Sequence, residues 1–103
     1  MKLYHKLIRD HIPEIIESKG GKAQIRRLSD EEYPIYLEAK LDEEVGEYHR
    51  DKNVEELADI LEVVYALAES IGCSKEELIK IYQKKHDDRG GFEKKLFLIA
   101  SEE

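Results

Sequence analysis

The sequence predicts a mostly α-helical domain built around a hairpin of two long helices, and three observations carry that prediction. Apolar residues recur at three- and four-residue spacing over residues 31–50 and again over 54–71, which is the period of one helical face. Asn53 and Ser74 each stand three residues before a glutamate, the capping-box pattern of a helix start. Glycines fall where helices should stop, at Gly20-Gly21, Gly72 and Gly90-Gly91. The 103 residues are expected to form one domain, 1–103, of four-helix-bundle type with a small two-stranded β element.

In chain order, residues 10–18 read as a short helix. Asp10 or His11 can cap it, Pro13 suits its first turn, and Ile12, Ile15 and Ile16 form its apolar side. Residues 22–28 alternate imperfectly, with Ala23 and Ile25 on one side, and read as a strand. Ser29-Asp30 then opens the long helix 31–50, and 51–53 is a tight break. Asn53 with Glu56 starts the second long helix, 54–71, which ends at Gly72. Ser74 with Glu77 starts a third, through residue 88, stopped by Gly90-Gly91. The apolar tail 92–100 is the expected strand partner of 22–28.

Composition narrows the function classes. The chain is 40% charged and 41% hydrophobic, with 24 acids against 17 bases and a net charge of −7. That sign argues against polymeric nucleic acid and anionic membrane surfaces as partners, because both are held by Lys and Arg. No run approaches the roughly 18 apolar residues of a membrane span. A single cysteine, Cys73, excludes an intramolecular disulfide and reads as a small residue at a helix end. A cytoplasmic protein is expected.

The informative feature is where the acids fall at 100° per residue. Leu57, Ile60, Leu61, Val64, Leu67 and Ile71 define the apolar arc of the helix from Val54, and Glu55, Glu62 and Glu69 lie opposite it. Glu56, however, falls inside the arc, between Val63 and Leu67, and Asp59 lies on its border. In the preceding helix Leu37, Leu41, Val45 and Tyr48 make the stripe, and Glu44 points along it. Glu47 and Lys40 border that stripe, with Glu43 just outside. Two helices joined by a tight turn thus each carry an inward acid pair, Glu44/Glu47 and Glu56/Asp59. Four converging carboxylates repel one another unless cations intervene. Lys40 is the obvious counter-charge within the chain. A hard divalent ion, Mg²⁺ or Mn²⁺, suits an all-oxygen set without Cys or His. A local reading also exists, since a capping box would put Glu56 where it is.

Other carboxylate sites fail on spacing. Neither His49 nor His86 completes the Glu-x-x-His of a di-iron bundle. An EF-hand loop starting at Asp51 would need glycine where Glu56 stands. No Gly-Lys-Ser/Thr marks a P-loop.

Glu43-Glu44-Val45-Gly46-Glu47 and Glu56-Leu57-Ala58-Asp59 resemble the E-E-x-x-E … E-x-x-D signature of the all-α nucleoside triphosphate pyrophosphohydrolases, the MazG and phosphoribosyl-ATP pyrophosphohydrolase superfamily. The opening KLYHKLIRDHIP, Lys40-Leu41 and Arg89-Gly90-Gly91-Phe92 are similar to its house-cleaning branch, which acts on non-standard nucleotides. The resemblance implies a MazG-like helical fold, with Glu44, Glu47, Glu56 and Asp59 as Mg²⁺ ligands. Glu43 would be a further ligand or the group that orients or deprotonates the attacking water. The implied reaction cleaves between the α- and β-phosphates of a nucleoside triphosphate, giving a monophosphate and pyrophosphate. Lys40, Lys84, Lys85 and Arg89 are the candidate phosphate-binding cations, and the resemblance adds Lys6 and Arg9. Phosphoribosyl-ATP is the rival substrate, and a non-catalytic acidic helical interaction module, its acids turned outward, is the rival from another class. The broad apolar surface of the helix from Val54, widened by Ala58, Val63, Ala66 and Ala68, implies a homodimer or a dimer of dimers.

Overall fold

A computed structural model describes residues 1–103 as four helices: α1 (Ile12–Ser18), α2 (Tyr33–Asp51), α3 (Val54–Ser70) and α4 (Lys75–Arg89). Helix α1 is a short amphipathic helix of about two turns ended by Gly20 at φ 84°, and the N–H of Gly21 closes back onto the Ile16 carbonyl at 3.0 Å. A side chain on Gly21 would meet Ile16 Cγ2 at 2.9 Å, so this stop requires glycine.

Helix α2 is prepared by its own N-terminal turn. The Ser29 N–H donates to Glu32 Oε1 (3.0 Å), and the Glu32 N–H donates to Ser29 Oγ (3.1 Å). Arg26 adds two bonds to the Glu32 carboxylate, at 2.9 and 3.1 Å. Helix α2 ends on Lys52 in the left-handed region (φ 52°), whose N–H reaches the Tyr48 carbonyl at 2.8 Å. The extended residue Asn53 then starts α3 at once, so α2 and α3 fold back on each other as the expected hairpin. Beyond α3, Gly72 (φ 89°) and a complete Ser74/Glu77 capping box launch α4, which packs against α3 alone.

No strand forms, which corrects the expected pairing of 22–28 with 92–100. A lone two-stranded ribbon is marginal in water, and both segments have local alternatives. In the first, Arg26 is drawn onto Glu32 beside the α2 start. In the second, Lys95 turns back to the Phe92 carbonyl (3.0 Å) with φ 59°, which breaks an extended run.

The hydrophobic interior of the chain is small. Leu37, Val63 and Ala68 are its buried apolar residues, and full burial of a leucine such as Leu37 contributes about 1.5–3 kcal/mol. The molecule is elongated, 59 × 31 × 23 Å, with a radius of gyration of 18.0 Å, against about 13 Å for a compact chain of this length. No helix is long and apolar enough to cross a membrane.

Candidate metal centre

Within that small interior one charged residue is buried. Glu44 is 6% exposed and shares the inner face of α2 with Leu37, about two turns earlier, in the direction the wheel predicts. The hairpin turn at Lys52-Asn53 sets the last two turns of α2 against the first two of α3. Glu44 and Glu47 therefore meet Glu56 and Asp59, and one carboxylate oxygen from each lies within 4.8 Å of the others. By contrast Glu55, Glu62 and Glu69 are exposed, as expected of outward acids.

Counter-charges come from two places. Lys40, one turn before Glu44, places its Nζ 3.3 Å from Glu44 Oε1 and 3.4 Å from Glu43 Oε2. The segment before α1 supplies the rest: Lys6 Nζ lies 2.9 Å from Glu43 Oε1, and Arg9 Nη2 donates to Asp59 Oδ1 at 2.8 Å. Lys40 was legible on the helix wheel. Lys6 and Arg9 were not, because ion pairs 37 and 50 residues apart leave no periodic trace. Their only sequence signal is their place in the KLIRDHIP string.

Three cations face five carboxylates, and the deficit shows in individual groups. Burial and the neighbouring Glu47 carboxylate push the Glu44 carboxyl above its usual range, although Lys40 opposes the shift. Glu56 is pushed up as well, by desolvation and then by Glu47, with Asp51 and Asp59 adding repulsion. For Glu43, desolvation is outweighed by the hydrogen bond from Lys6 and the charge of Lys40, so it stays ionised below the usual range. Glu44 Oε2 and Glu56 Oε2 are buried with no hydrogen-bond partner. An unpaired buried carboxylate oxygen is costly in a protein interior. Two such atoms in an all-oxygen cluster fit a hard cation. Opposite oxygens around Mg²⁺ sit about 4 Å apart, so an observed span of up to 4.8 Å would have to close slightly to hold the ion.

The remaining sequence candidates are not brought in. Lys84, Lys85 and Arg89 are exposed on α4, and Lys84 pairs instead with Asp88 at 3.4 Å. No ion pair joins any of the three to the cluster. Among the tyrosines, Tyr36 lines a small cavity of about 90 Å³ with Lys6, Lys40 and Glu43 beside the acids. Tyr48 and Tyr65 instead carry the ammonium groups of Lys52 and Lys75 over their rings.

No family model matches the sequence, and no solved structure matches it. A stretch of 42 residues, 41% of the chain, is 57% identical to part of an uncharacterized protein of Mycolicibacterium smegmatis. The match spans 43% of that protein, less than half of its length.

Proposed function

We propose that this chain is a Mg²⁺-dependent nucleoside triphosphate pyrophosphohydrolase that releases a nucleoside monophosphate and pyrophosphate. The observation that carries the reading is the convergence of Glu44, Glu47, Glu56 and Asp59, with partnerless oxygens on Glu44 and Glu56. These four residues would hold Mg²⁺, or Mn²⁺ in its place. When bound, the ion neutralises phosphate charge and lowers the pKa of a bound water. Glu43, kept ionised by Lys6 and Lys40, is the chain's own candidate to orient that water or take its proton. No contact supports a phosphate role for Lys84, Lys85 or Arg89.

Burial of Glu44 favours this reading over an acidic interaction module, whose acids would lie outward. The resemblance of the KLIRDHIP and RGGF segments favours damaged or non-standard nucleotides over phosphoribosyl-ATP. The test is pyrophosphate release from a panel of ordinary, damaged and phosphoribosyl nucleotides, with and without Mg²⁺. Metal-dependent release from at least one triphosphate is expected. No release from any of them, together with no divalent-ion binding, would overturn the reading.

The active unit on this reading is a homodimer or a dimer of dimers. What supports it is area: the chain exposes 9460 Å², whereas a folded monomer of this mass exposes about 6,000 Å². The excess is several times the roughly 800 Å² per partner of a standard interface. Leu57 and Leu61 of α3, Ile71 just after it and Ile79 of α4 contribute to it, as do Phe97 and Ile99 of the tail. Sedimentation equilibrium should give a dimer or tetramer, and a stably folded monomer at micromolar concentration would contradict it.

A further inference from the structure

The segment before α1 has no helix or strand of its own, yet it crosses both arms of the hairpin. Lys6 binds Glu43 on α2 and Arg9 binds Asp59 on α3. His5, at φ 48°, bends the backbone immediately before Lys6. Leu7 and Ile8, between the two cations, are partly covered. No other side-chain hydrogen bond ties residues 1–11 to the helices, so these two ion pairs are the polar anchors of the segment.

The three cations at the cluster are not equivalent. Lys40 is 14% exposed and shared between two carboxylates of its own helix, so it is committed there. Lys6 and Arg9 are 40% and 52% exposed, and ion pairs that open to solvent hold weakly. Arg9 also sits on the carboxylate of Asp59, a residue of the proposed ligand set. A divalent ion drawing on that carboxylate competes with the guanidinium. Once released, an arginine at this spot meets a polyphosphate that a chain of net charge −7 otherwise repels. Guanidinium and phosphate match in a two-bond fork.

We infer that residues 3–10 form a cationic strap that exchanges partners: Arg9 and Lys6 hold Asp59 and Glu43 in the metal-free chain and clasp substrate phosphates when the carboxylates turn to a metal. The proposal rests on the metal-centre reading above. It assigns the strap two effects of opposite sign, which a purely structural clamp would not have. As a competing cation, Arg9 weakens metal binding; as a phosphate ligand, it strengthens polyphosphate binding.

Calorimetric titration of the full chain with Mn²⁺ alone, and then with inorganic tripolyphosphate at saturating Mg²⁺, separates these effects. Arg9→Gln and Lys6→Gln should each tighten Mn²⁺ binding several-fold. Each should also weaken tripolyphosphate binding about tenfold or more, the usual scale for losing a charged hydrogen-bond partner. Arg9→Lys should recover part of the second loss. Helix content by circular dichroism should stay unchanged, because both pairs are half exposed. Weaker Mn²⁺ binding in both Gln variants, or unchanged tripolyphosphate binding, would overturn the strap while leaving the metal centre intact. Failure of the unaltered chain to bind Mn²⁺ would overturn both.

Discussion

Helices α3 and α4 begin with the same local pattern and finish it differently. At Ser74 the capping box is complete: Ser74 Oγ accepts from the Glu77 N–H at 3.1 Å, and the Ser74 N–H donates to Glu77 Oε1 at 3.2 Å. At Asn53 only half of it forms. Asn53 Oδ1 accepts from the Glu56 N–H at 3.0 Å, but the Glu56 carboxylate does not return the bond. It turns instead to Glu47 and Asp59, where one of its oxygens is buried without a partner. The electrostatic outcomes are opposite. Hydrogen bonds from the backbone and hydroxyl of Ser74 hold Glu77 below the usual carboxyl range, while desolvation and Glu47 push Glu56 above it. A third start, Ser29 with Glu32, behaves like Ser74; Arg26 and then Ser29 hold Glu32 at about 2. A glutamate that declines its local bond to join a repulsive cluster is serving something other than its helix.

Substituting the two glutamates in parallel should give the largest contrast. Glu56→Gln should reduce pyrophosphate release by at least about 100-fold, since even outer partners of a metal site are worth 10–100-fold. Thermal melting in chelator-treated buffer should show its fold kept or stabilised, because a carboxylate held against its neighbours has been removed. Glu77→Gln should leave turnover unchanged. Unfolding on Glu56→Gln, with the same turnover per folded molecule, would assign Glu56 to the helix start alone.

A smaller effect separates the starts in the other direction. Ser74→Ala should destabilise the fold by about 1 kcal/mol, read as a melting temperature lower by roughly 4–8 °C. The carboxyls of Glu77 and Glu32 sit below their ordinary value of 4.5 in the folded state. Their stabilisation is therefore complete above about 4.5 and lost as pH falls below it, toward about 2 for Glu32. Ser74→Ala should shallow this acid limb, and urea melts between pH 5 and 2 would measure the change.

The junctions before the two starts yield the smallest prediction. The chain enters α4 through Gly72 at φ 89°, but enters α3 through Lys52 at φ 52°, a conformation that glycine adopts without penalty. Lys52→Gly should raise the unfolding free energy slightly, by under about 1 kcal/mol, and Gly72→Ala should lower it by at least as much, both read from denaturant melts. A loss of stability in Lys52→Gly would show that the Lys52 ammonium over the Tyr48 ring outweighs the backbone strain.

Helices and acid placement were legible because both follow local rules. The 3.6-residue period marks α2 and α3, the capping pairs mark the starts of α3 and α4 within a residue, and Glu56 stands out as an acid inside an apolar arc. Two things were not legible. Strands need partners, and the imperfect alternation of 22–28 and 92–100 could not reveal that neither segment has one. Lys6 and Arg9 act across 37 and 50 residues, so only folding brings them to Glu43 and Asp59. Lys84, Lys85 and Arg89 carry charge near a glycine stop, a local pattern that says nothing of tertiary position, and the structure brings none of them into ion-pair contact with the cluster.

The central claim, that the four carboxylates form a metal centre, is tested most directly by titrating the full chain with Mn²⁺ in a calorimeter beside Glu56→Gln and Glu77→Gln. Saturable binding is expected in the unaltered chain and in Glu77→Gln, with affinity at least about 100-fold lower in Glu56→Gln. Equal affinity in all three, or no binding in any, would contradict it.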